Sequence, residues 1–187
     1  MIREIQTVST LLDTRRPLSQ IHWGGGSPNT INLDYVGKVM DVLMSTFTPI
    51  ENIEIAMECH PAYLELEDID KLASMGFNRL SLGIQDFNSN VLSLVNRNPA
   101  KHKAEVLIDR MRHNIFKGVN IDLIYGLPGQ TKDNFIKTIE SAIQASPDRL
   151  TTFAYAHVPW VKPNQKIIEA AGLPDASQKI AMYAQAH

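Results

Sequence analysis

The feature that most constrains the fold is a regular alternation of short apolar runs with longer segments of helical periodicity. Five apolar runs have the length and composition of strands, and each is followed by a helical pattern. The predicted strands are Gln20 to Trp23, Asn52 to Glu58, Arg79 to Ile84, Val119 to Tyr125 and Arg149 to Tyr155. This alternation predicts an α/β chain with one parallel sheet, either doubly wound or curved into a (β/α) barrel.

The helical segments carry their own start and stop signals. Apolar residues recur at spacings of three and four after Asn32, a residue type that caps helix N-termini. A second helix is predicted to end at Gly76, a third to close at Gly118 and a fourth to begin after Thr131. A helical run also opens the chain, from Ile2 to Leu12.

Size and composition predict one soluble globular domain. The chain has 187 residues, of which 44% are hydrophobic, and a formal net charge of −2. No apolar run approaches the roughly 18 residues of a membrane span, and the charges form no basic stripe for nucleic acid. We therefore expect a cytoplasmic chain without membrane or nucleic-acid partners.

The sequence contains a single cysteine, Cys59. One thiol excludes an internal disulfide framework and also a metal site built from the cysteines of one chain. Cys59 is interpreted as a small buried hydrophobic residue rather than a nucleophile, because the sequence defines no histidine partner apart from the adjacent His60.

Polar residues gather at the carboxyl ends of the predicted strands, where both architectures bind ligands. The segment Gly24 to Ser27 follows the first strand and forms either an anion-binding nest or a flexible turn. The later strand ends carry Glu58 and His60, Gln85 and Asp86, Asp122 with Tyr125 and Gly126, and Tyr155 and His157. Because parallel strands end at the same edge of a sheet, we expect these residues to share one rim.

Each charged residue of this rim has two interpretations. Glu58 and Asp122 could accept hydrogen bonds from a ligand, or they could pair with a neighbouring lysine or arginine. Arg97 could clamp a carboxylate or remain a solvated surface charge. The segment Gly126 to Thr131 is interpreted as an ordinary loop that begins a helix. The residues alone leave these alternatives open.

Five segments resemble, in order, those of the oxygen-independent coproporphyrinogen III oxidases of the radical S-adenosylmethionine superfamily. They are Trp23 to Pro28, Asn78 to Asn88, Val95 to Arg97, Asn120 to Pro128 and Tyr155 to Trp160. The resemblance implies a partial (β/α) barrel of parallel strands with outer helices. It also implies the oxygen-free conversion of coproporphyrinogen III to protoporphyrinogen IX in haem synthesis, with S-adenosylmethionine and a four-iron four-sulfur cluster.

The resemblance implies cofactor contacts for eight residues. Those that resemble contacts to a first S-adenosylmethionine are Gly25, Gly26, Ser27 and Glu58. Those that resemble contacts to a second molecule are Gln85, Arg97, Asp122 and the backbone of Ala156. A zwitterionic sulfonium ligand needs hydrogen-bond donors, acceptors and nearby carboxylates, and this set supplies all three.

One departure from the family bears on activity. The superfamily places three cluster ligands in a Cys-x-x-x-Cys-x-x-Cys motif upstream of the glycine segment, and this motif is absent here. We therefore expect residues 1–187 to be an inactive internal part of a single barrel domain. The expected missing parts are the first strand with its cysteine loop and a C-terminal domain. An open strand edge exposing Ile21 and Trp23 beside an apolar barrel interior then predicts aggregation.

Two alternatives remain beside the oxidase. Haem chaperones of the same family typically have phenylalanine in place of Trp23 and lack the Gln-Asp-Phe-Asn and Val-Asn-Arg segments found here. A degenerate barrel could instead retain the cofactor pocket as a non-enzymatic binding module. The oxidase interpretation is favoured, and it implies a small-molecule porphyrinogen substrate and an electron donor that the sequence does not specify.

Overall fold

The computed structural model describes residues 1–12 and 16–186, and its five strands form one parallel sheet. The strands are β1 (Pro17–Trp23), β2 (Thr48–Cys59), β3 (Arg79–Gln85), β4 (Gly118–Tyr125) and β5 (Arg149–Ala154). Strand order in the sheet follows chain order throughout. This is the order of a barrel, because a doubly wound sheet reverses direction at a switch point. The curled half-barrel confirms the predicted fold class.

Helices connect the strands and begin at the predicted signals. The described residues form α1 (Ile2–Thr10), α2 (Leu33–Thr46), α3 (Leu66–Ser74), α4 (Ser89–Leu94), α5 (Ala104–Arg112), α6 (Lys132–Gln144), α7 (Gln165–Glu169) and α8 (Ala176–Ala186). Short 3₁₀ turns, Pro28–Thr30 and Pro61–Tyr63, follow β1 and β2. The Asn32 side chain accepts from the N–H of Asp34 at 2.8 Å, and Thr131 forms a capping box with Asn134.

Two glycines predicted to end helices have different roles. Gly76 follows α3 with a φ of +89°, which is typical of a helix-ending glycine. Gly118 closes no helix, since α5 ends at Arg112 and Gly118 begins β4. A Cβ at Gly118 would lie 3.1 Å from Cζ of Arg79 on the neighbouring strand. The prediction for Gly118 is wrong because this residue begins a strand, where the guanidinium of Arg79 on the neighbouring strand lies beside it.

The two faces of the sheet differ in polarity. The outer face packs against the helices and forms the core, with Met57, Leu80 and Ile121 fully buried. The inner face carries mostly polar residues and borders an open cavity of about 370 Å³. Its polar lining residues are Gln20, His22, Glu54, Glu58, Arg79, Ser81, Asn120, Asp122, Arg149 and Thr151. The expectation of an apolar barrel interior is therefore wrong.

Strand β1 has one open edge, because β2 is its only partner among the described strands. Its apolar side chains are nevertheless covered. Ile21 is 8% exposed, and the ring of half-buried Trp23 lies 6.4 Å from that of Phe77. The predicted exposure of Ile21 and Trp23 is wrong because both lie on the face that the helices cover.

Within the described residues, no helix has both the length and the apolar character that a membrane crossing requires.

Candidate cofactor site

The loop after β1 packs directly on the carboxylate of Glu58. The N–H of Gly25 donates to Oε2 of Glu58 at 3.1 Å, and Nε2 of His22 lies 3.2 Å from Oε1. Gly25 has a φ of +107°, in the region that favours glycine. A Cβ at Gly24 would lie 2.9 Å from Oε1. The partners of Glu58 are thus a histidine and a backbone amide, rather than the lysine or arginine considered from the sequence.

A buried asparagine fixes this loop to the end of β2. Asn29 is 8% exposed, and its Nδ2 donates to the carbonyl of His60 at 3.0 Å. Its Oδ1 accepts from the N–H of His60 at 2.8 Å. Both backbone groups of His60 are therefore satisfied by one side chain. Sequence reasoning missed Asn29, whose only signal is its place in the turn directly after the glycine segment.

Gln85, Gly83 and Arg97 form a tight group at the end of β3. The guanidinium of Arg97 donates to the carbonyl of Gly83. A Cβ at Gly83 would lie 2.9 Å from Nε2 of Gln85 and 3.1 Å from Nη2 of Arg97, so both side chains use the space that glycine leaves. Burial lowers the pKa of Arg97. Arg97 is therefore held against Gly83 rather than being a solvated surface charge.

Asp122 lies on the inner face of β4 and is held by neutral groups. The hydroxyl of Ser81 donates to Oδ2 at 2.6 Å, and Nδ2 of Asn120 donates to Oδ1 at 2.7 Å. The hydroxyl of Thr151 donates to Oδ1 of Asn120 at 2.9 Å. These bonds orient the carboxylate without neutralising it, so a cationic ligand would still supply its counter-charge. Sequence reasoning missed Ser81 and Asn120, whose signal is a polar residue alternating with buried apolar neighbours.

A cavity of about 170 Å³ brings most of the predicted contacts together. Six of the eight line it, namely Gly25, Ser27, Glu58, Gln85, Arg97 and Asp122. Gly26 and Ala156 are not among its lining residues. Ala156 is exposed, and its carbonyl accepts from Nε2 of Gln165 at 3.0 Å. Glu58 and Asp122 lie at the same end of the sheet, as a shared site requires. That these residues bind a cofactor stays a prediction.

Two other polar strand ends point elsewhere. Asp86 is 1% exposed and accepts from Thr138 and Gln130, both behind the rim. Nε2 of His157 lies 3.8 Å from Oε2 of Glu169. Neither Asp86 nor His157 lines the 170 Å³ cavity. The expectation of one rim fails for Asp86 because the left-handed φ of +70° at Gln85 ends the strand direction and Asp86 turns toward Thr138 of α6. It fails for His157 because this residue lies beyond the end of β5, beside Glu169.

Two titratable groups that follow Glu58 in the sequence, His60 and Cys59, have shifted pKa values. Burial and the charge of Arg97 lower the pKa of His60, whose Nδ1 accepts from the N–H of Ala62 at 3.2 Å. Burial, with the charges of Asp68 and Glu58, raises the pKa of Cys59, which is 3% exposed. Cys59 is therefore an inert thiol. Among the residues with described positions, no three His, Cys, Asp or Glu side chains are placed to hold a metal ion.

Residues 2–142 match the Radical SAM superfamily, and the chain belongs to this superfamily. More particularly, it is similar to the oxygen-independent coproporphyrinogen III oxidase of Synechocystis sp., with 41% identity over 178 residues. That match covers 95% of this chain and 38% of the relative. The protein of the same name from Escherichia coli is 42% identical over 165 residues, which cover 88% of this chain and 36% of the relative. The chain thus spans well under half the length of these relatives.

Solved structures share the half-barrel. Coproporphyrinogen III oxidase (HemN) from Escherichia coli, a Radical SAM enzyme, matches with a TM-score of 0.92 and 39% identity. The match covers 98% of this chain and 42% of that one. The archaeal Elp3 of Methanocaldococcus infernus matches with a TM-score of 0.67 at 13% identity, over 99% of this chain and 48% of that one. The second likeness shows the fold alone.

Proposed function

We propose that this chain is part of an oxygen-independent coproporphyrinogen III oxidase. The whole enzyme oxidatively decarboxylates two propionates of coproporphyrinogen III to vinyl groups, giving protoporphyrinogen IX in haem biosynthesis. One observation carries the proposal: the six residues in the 170 Å³ cavity are those that the resemblance to this family singles out. The relatives of that name, at 41% and 42% identity, support it.

The cavity has hydrogen-bond donors and acceptors that suit S-adenosylmethionine. The carboxylates of Glu58 and Asp122 suit the amine and the sulfonium, and the guanidinium of Arg97 suits the carboxylate. A Cβ added at Gly25 or Gly26 would meet no atom within 4 Å, so the space beside the glycine loop is open. Bound S-adenosylmethionine supplies the radical chemistry of the superfamily. The residues of this chain bind and orient it.

The eight residues divide between two molecules of S-adenosylmethionine. We assign Gly25, Gly26, Ser27 and Glu58 to the first, and Gln85, Arg97, Asp122 and the backbone of Ala156 to the second. A neighbouring cavity of about 360 Å³ supports the second assignment, because Gln85 and Arg97 line it together with Tyr155. The hydrogen bond from Gln165 fixes the backbone of Ala156 beside Tyr155.

The residues of this chain do not fit a four-iron four-sulfur cluster. Such a cluster needs three thiolates in this superfamily, whereas Cys59 is the only cysteine of the sequence and is a buried thiol of raised pKa. We propose that the ligands belong to a cysteine loop outside residues 1–187, and that a first strand and a C-terminal domain also lie outside them. By itself the chain is inactive. The same proposal places the enzyme in the cytoplasm, with a porphyrinogen substrate and a separate electron donor.

The first step of the test is to sequence the gene on both sides of the codons for residues 1–187. The complete protein is expressed without oxygen, reconstituted with iron and sulfide, and incubated with coproporphyrinogen III, S-adenosylmethionine and dithionite. Mass spectrometry should detect protoporphyrinogen IX, or protoporphyrin after oxidation, together with methionine and deoxyadenosine. A cysteine motif without turnover of coproporphyrinogen III would favour the haem chaperone, and a complete protein without the motif would favour the degenerate module.

A further inference from the structure

Asp86 is a buried carboxylate one residue beyond the candidate cofactor site. It is 1% exposed and follows Gln85 directly. Its Oδ1 accepts from the hydroxyl of Thr138 at 2.6 Å and from the N–H of Asn88 at 2.7 Å. Its Oδ2 accepts from Nε2 of Gln130 at 2.6 Å. A buried carboxylate with donors on three segments fixes those segments relative to one another, because each donor lost leaves a buried polar group unpaired.

Gln130 extends this contact to the loop after β4. Its Nε2 also donates to the carbonyl of Ile124 at 2.8 Å, and its Oε1 accepts from the N–H of Leu127 at 2.8 Å. Both ends of the amide are engaged, so the amide cannot flip without losing bonds on either side. Asp86 therefore joins the loop after β3 to the loop after β4, and both to the helix α6 that carries Thr138.

Gln85 has a backbone conformation that its surroundings must hold in place. Its φ is +70°, in the left-handed region that residues with side chains rarely adopt. The pairing of β3 with β4 also shifts in register between Leu82 and Gln85. This geometry brings the amide of Gln85 over Gly83, next to the guanidinium of Arg97.

We propose that Asp86 is a positioning residue for the cofactor site. It holds Gln85 in the left-handed conformation and locks the loops after β3 and β4 in one arrangement. Asp86 acts through Gln85, because its own carboxylate points away from the 170 Å³ cavity. The role in cofactor binding rests on the proposed function of that cavity as a site for S-adenosylmethionine.

The first measurement needs no ligand. Hydrogen exchange of the backbone amides, followed by mass spectrometry, compares the native 187-residue chain with the variant Asp86→Asn. Asparagine keeps one acceptor oxygen but turns an NH₂ group toward the donor of either Thr138 or Gln130. We expect exchange in peptides covering residues 83–88 and 124–130 to become about tenfold faster. Thr138→Val should accelerate both peptides as well, while Thr138→Ser keeps the hydroxyl and should exchange like the native chain.

The matched control is Asp148→Asn. The Oδ2 atom of Asp148 accepts from the N–H of Val119 at 2.8 Å, at the opposite end of β4. This variant makes the same carboxylate-to-amide change at an exposed side chain, whose Oδ1 lies 3.5 Å from Nη2 of Arg112, and it should leave exchange in residues 83–88 and 124–130 unchanged. Native exchange rates in Asp86→Asn, or equal acceleration in Asp148→Asn, would overturn the proposal.

The second measurement is the affinity of the complete, reconstituted protein for S-adenosylmethionine, by titration calorimetry. Asp86→Asn should raise the Kd about tenfold, and Asp148→Asn should change it less than about twofold. In a Gln85→Ala background, Asp86→Asn should change the Kd less than about twofold, because its effect passes through the missing amide. Additive losses in the double variant would overturn the proposal. If the complete native protein binds no S-adenosylmethionine, the proposed function fails and the exchange measurement still decides the role of Asp86.

Discussion

The carboxylate of Glu58 accepts a hydrogen bond from the backbone N–H of Gly25, with 3.1 Å between nitrogen and oxygen. This bond joins the glycine loop after β1 to the end of β2, so that two strand ends present one surface. The N–H of Gly25 therefore donates within the protein and not to a bound anion. The site consequently offers a fixed carboxylate, which suits a ligand's amine or sulfonium.

The charge of Glu58 provides the first prediction. Glu58→Gln keeps the size of the side chain but removes its charge, so the attraction for a cationic ligand is lost. We expect the Kd for S-adenosylmethionine to rise about tenfold, which corresponds to about 1.4 kcal/mol. The exposed Glu51 serves as the control, and Glu51→Gln should bind like the native chain. Calorimetry measures both, and equal affinity in the two variants would contradict the assignment of Glu58.

Gly83→Ala should weaken the binding of S-adenosylmethionine while leaving the stability of the fold nearly unchanged. The new Cβ would lie 2.9 Å from Nε2 of Gln85 and 3.1 Å from Nη2 of Arg97, so these flexible side-chain ends must move. We expect a Tm within a few degrees of the native value but a roughly tenfold weaker affinity for S-adenosylmethionine. Gly37→Ala within α2 is the matched control, because its Cβ would meet only Cε of Met75 at 3.5 Å and Sδ at 3.9 Å. A Gly83→Ala chain of native affinity would exclude Gln85 and Arg97 from the site.

The pKa of His60 predicts how stability depends on pH. Burial and Arg97 lower this pKa below its usual value of 6.5. As the pH falls below 6.5, the unfolded chain binds a proton at His60 before the folded chain does, so the free energy of unfolding decreases. The decrease ends once the pH is below the folded-state pKa. Asparagine can still accept from the N–H of Ala62 but cannot titrate, so His60→Asn should lose less stability between about pH 7 and about pH 5.

Urea unfolding at these two pH values measures the effect, with the other histidines common to both chains. If the free energy of unfolding falls by the same amount in the native chain and in His60→Asn, then His60 titrates alike in the folded and unfolded states.

The lone cysteine predicts the outcome of cluster reconstitution. Incubating the 187-residue chain with iron and sulfide should give no stable, stoichiometric absorbing cluster, and the chain should not cleave S-adenosylmethionine. Cys59 should also resist alkylation until the chain unfolds, because its thiol is buried and its pKa is raised. A stoichiometric cluster on this chain would refute the assignment of the ligands to residues outside it.

The open edge of β1 predicts self-association. Among the described strands only β2 pairs with β1, so the other edge can add a strand from another chain, even though Ile21 is covered. We expect oligomers or aggregates by size-exclusion chromatography with light scattering. A lysine on the exposed strand residue, Ser19→Lys, should shift the chain toward monomer. A monodisperse native monomer with cooperative thermal unfolding would show that the edge is harmless.

The sequence by itself determined the strands, their parallel order and the ends at which ligand residues stand. These features follow from local patterns, because apolar runs, caps and glycines act within a few residues of one another. Asn32 and Thr131 cap the N-termini of α2 and α6 as predicted, and Glu58 and Asp122 lie at one end of the sheet. The resemblance of the sequence to the oxidase family also rests on local segments.

Only the tertiary structure decided which side chains meet. The partners of Glu58 are His22 and Gly25, which lie 36 and 33 residues away, and Asp86 turns from the cavity toward Thr138, 52 residues later. The same applies to Gly118, which lies beside the guanidinium of Arg79, 39 residues earlier in the chain. Such contacts depend on how the sheet curls and how helices cover its outer face. Packing between distant segments determines these contacts, and no local pattern in the chain encodes that packing.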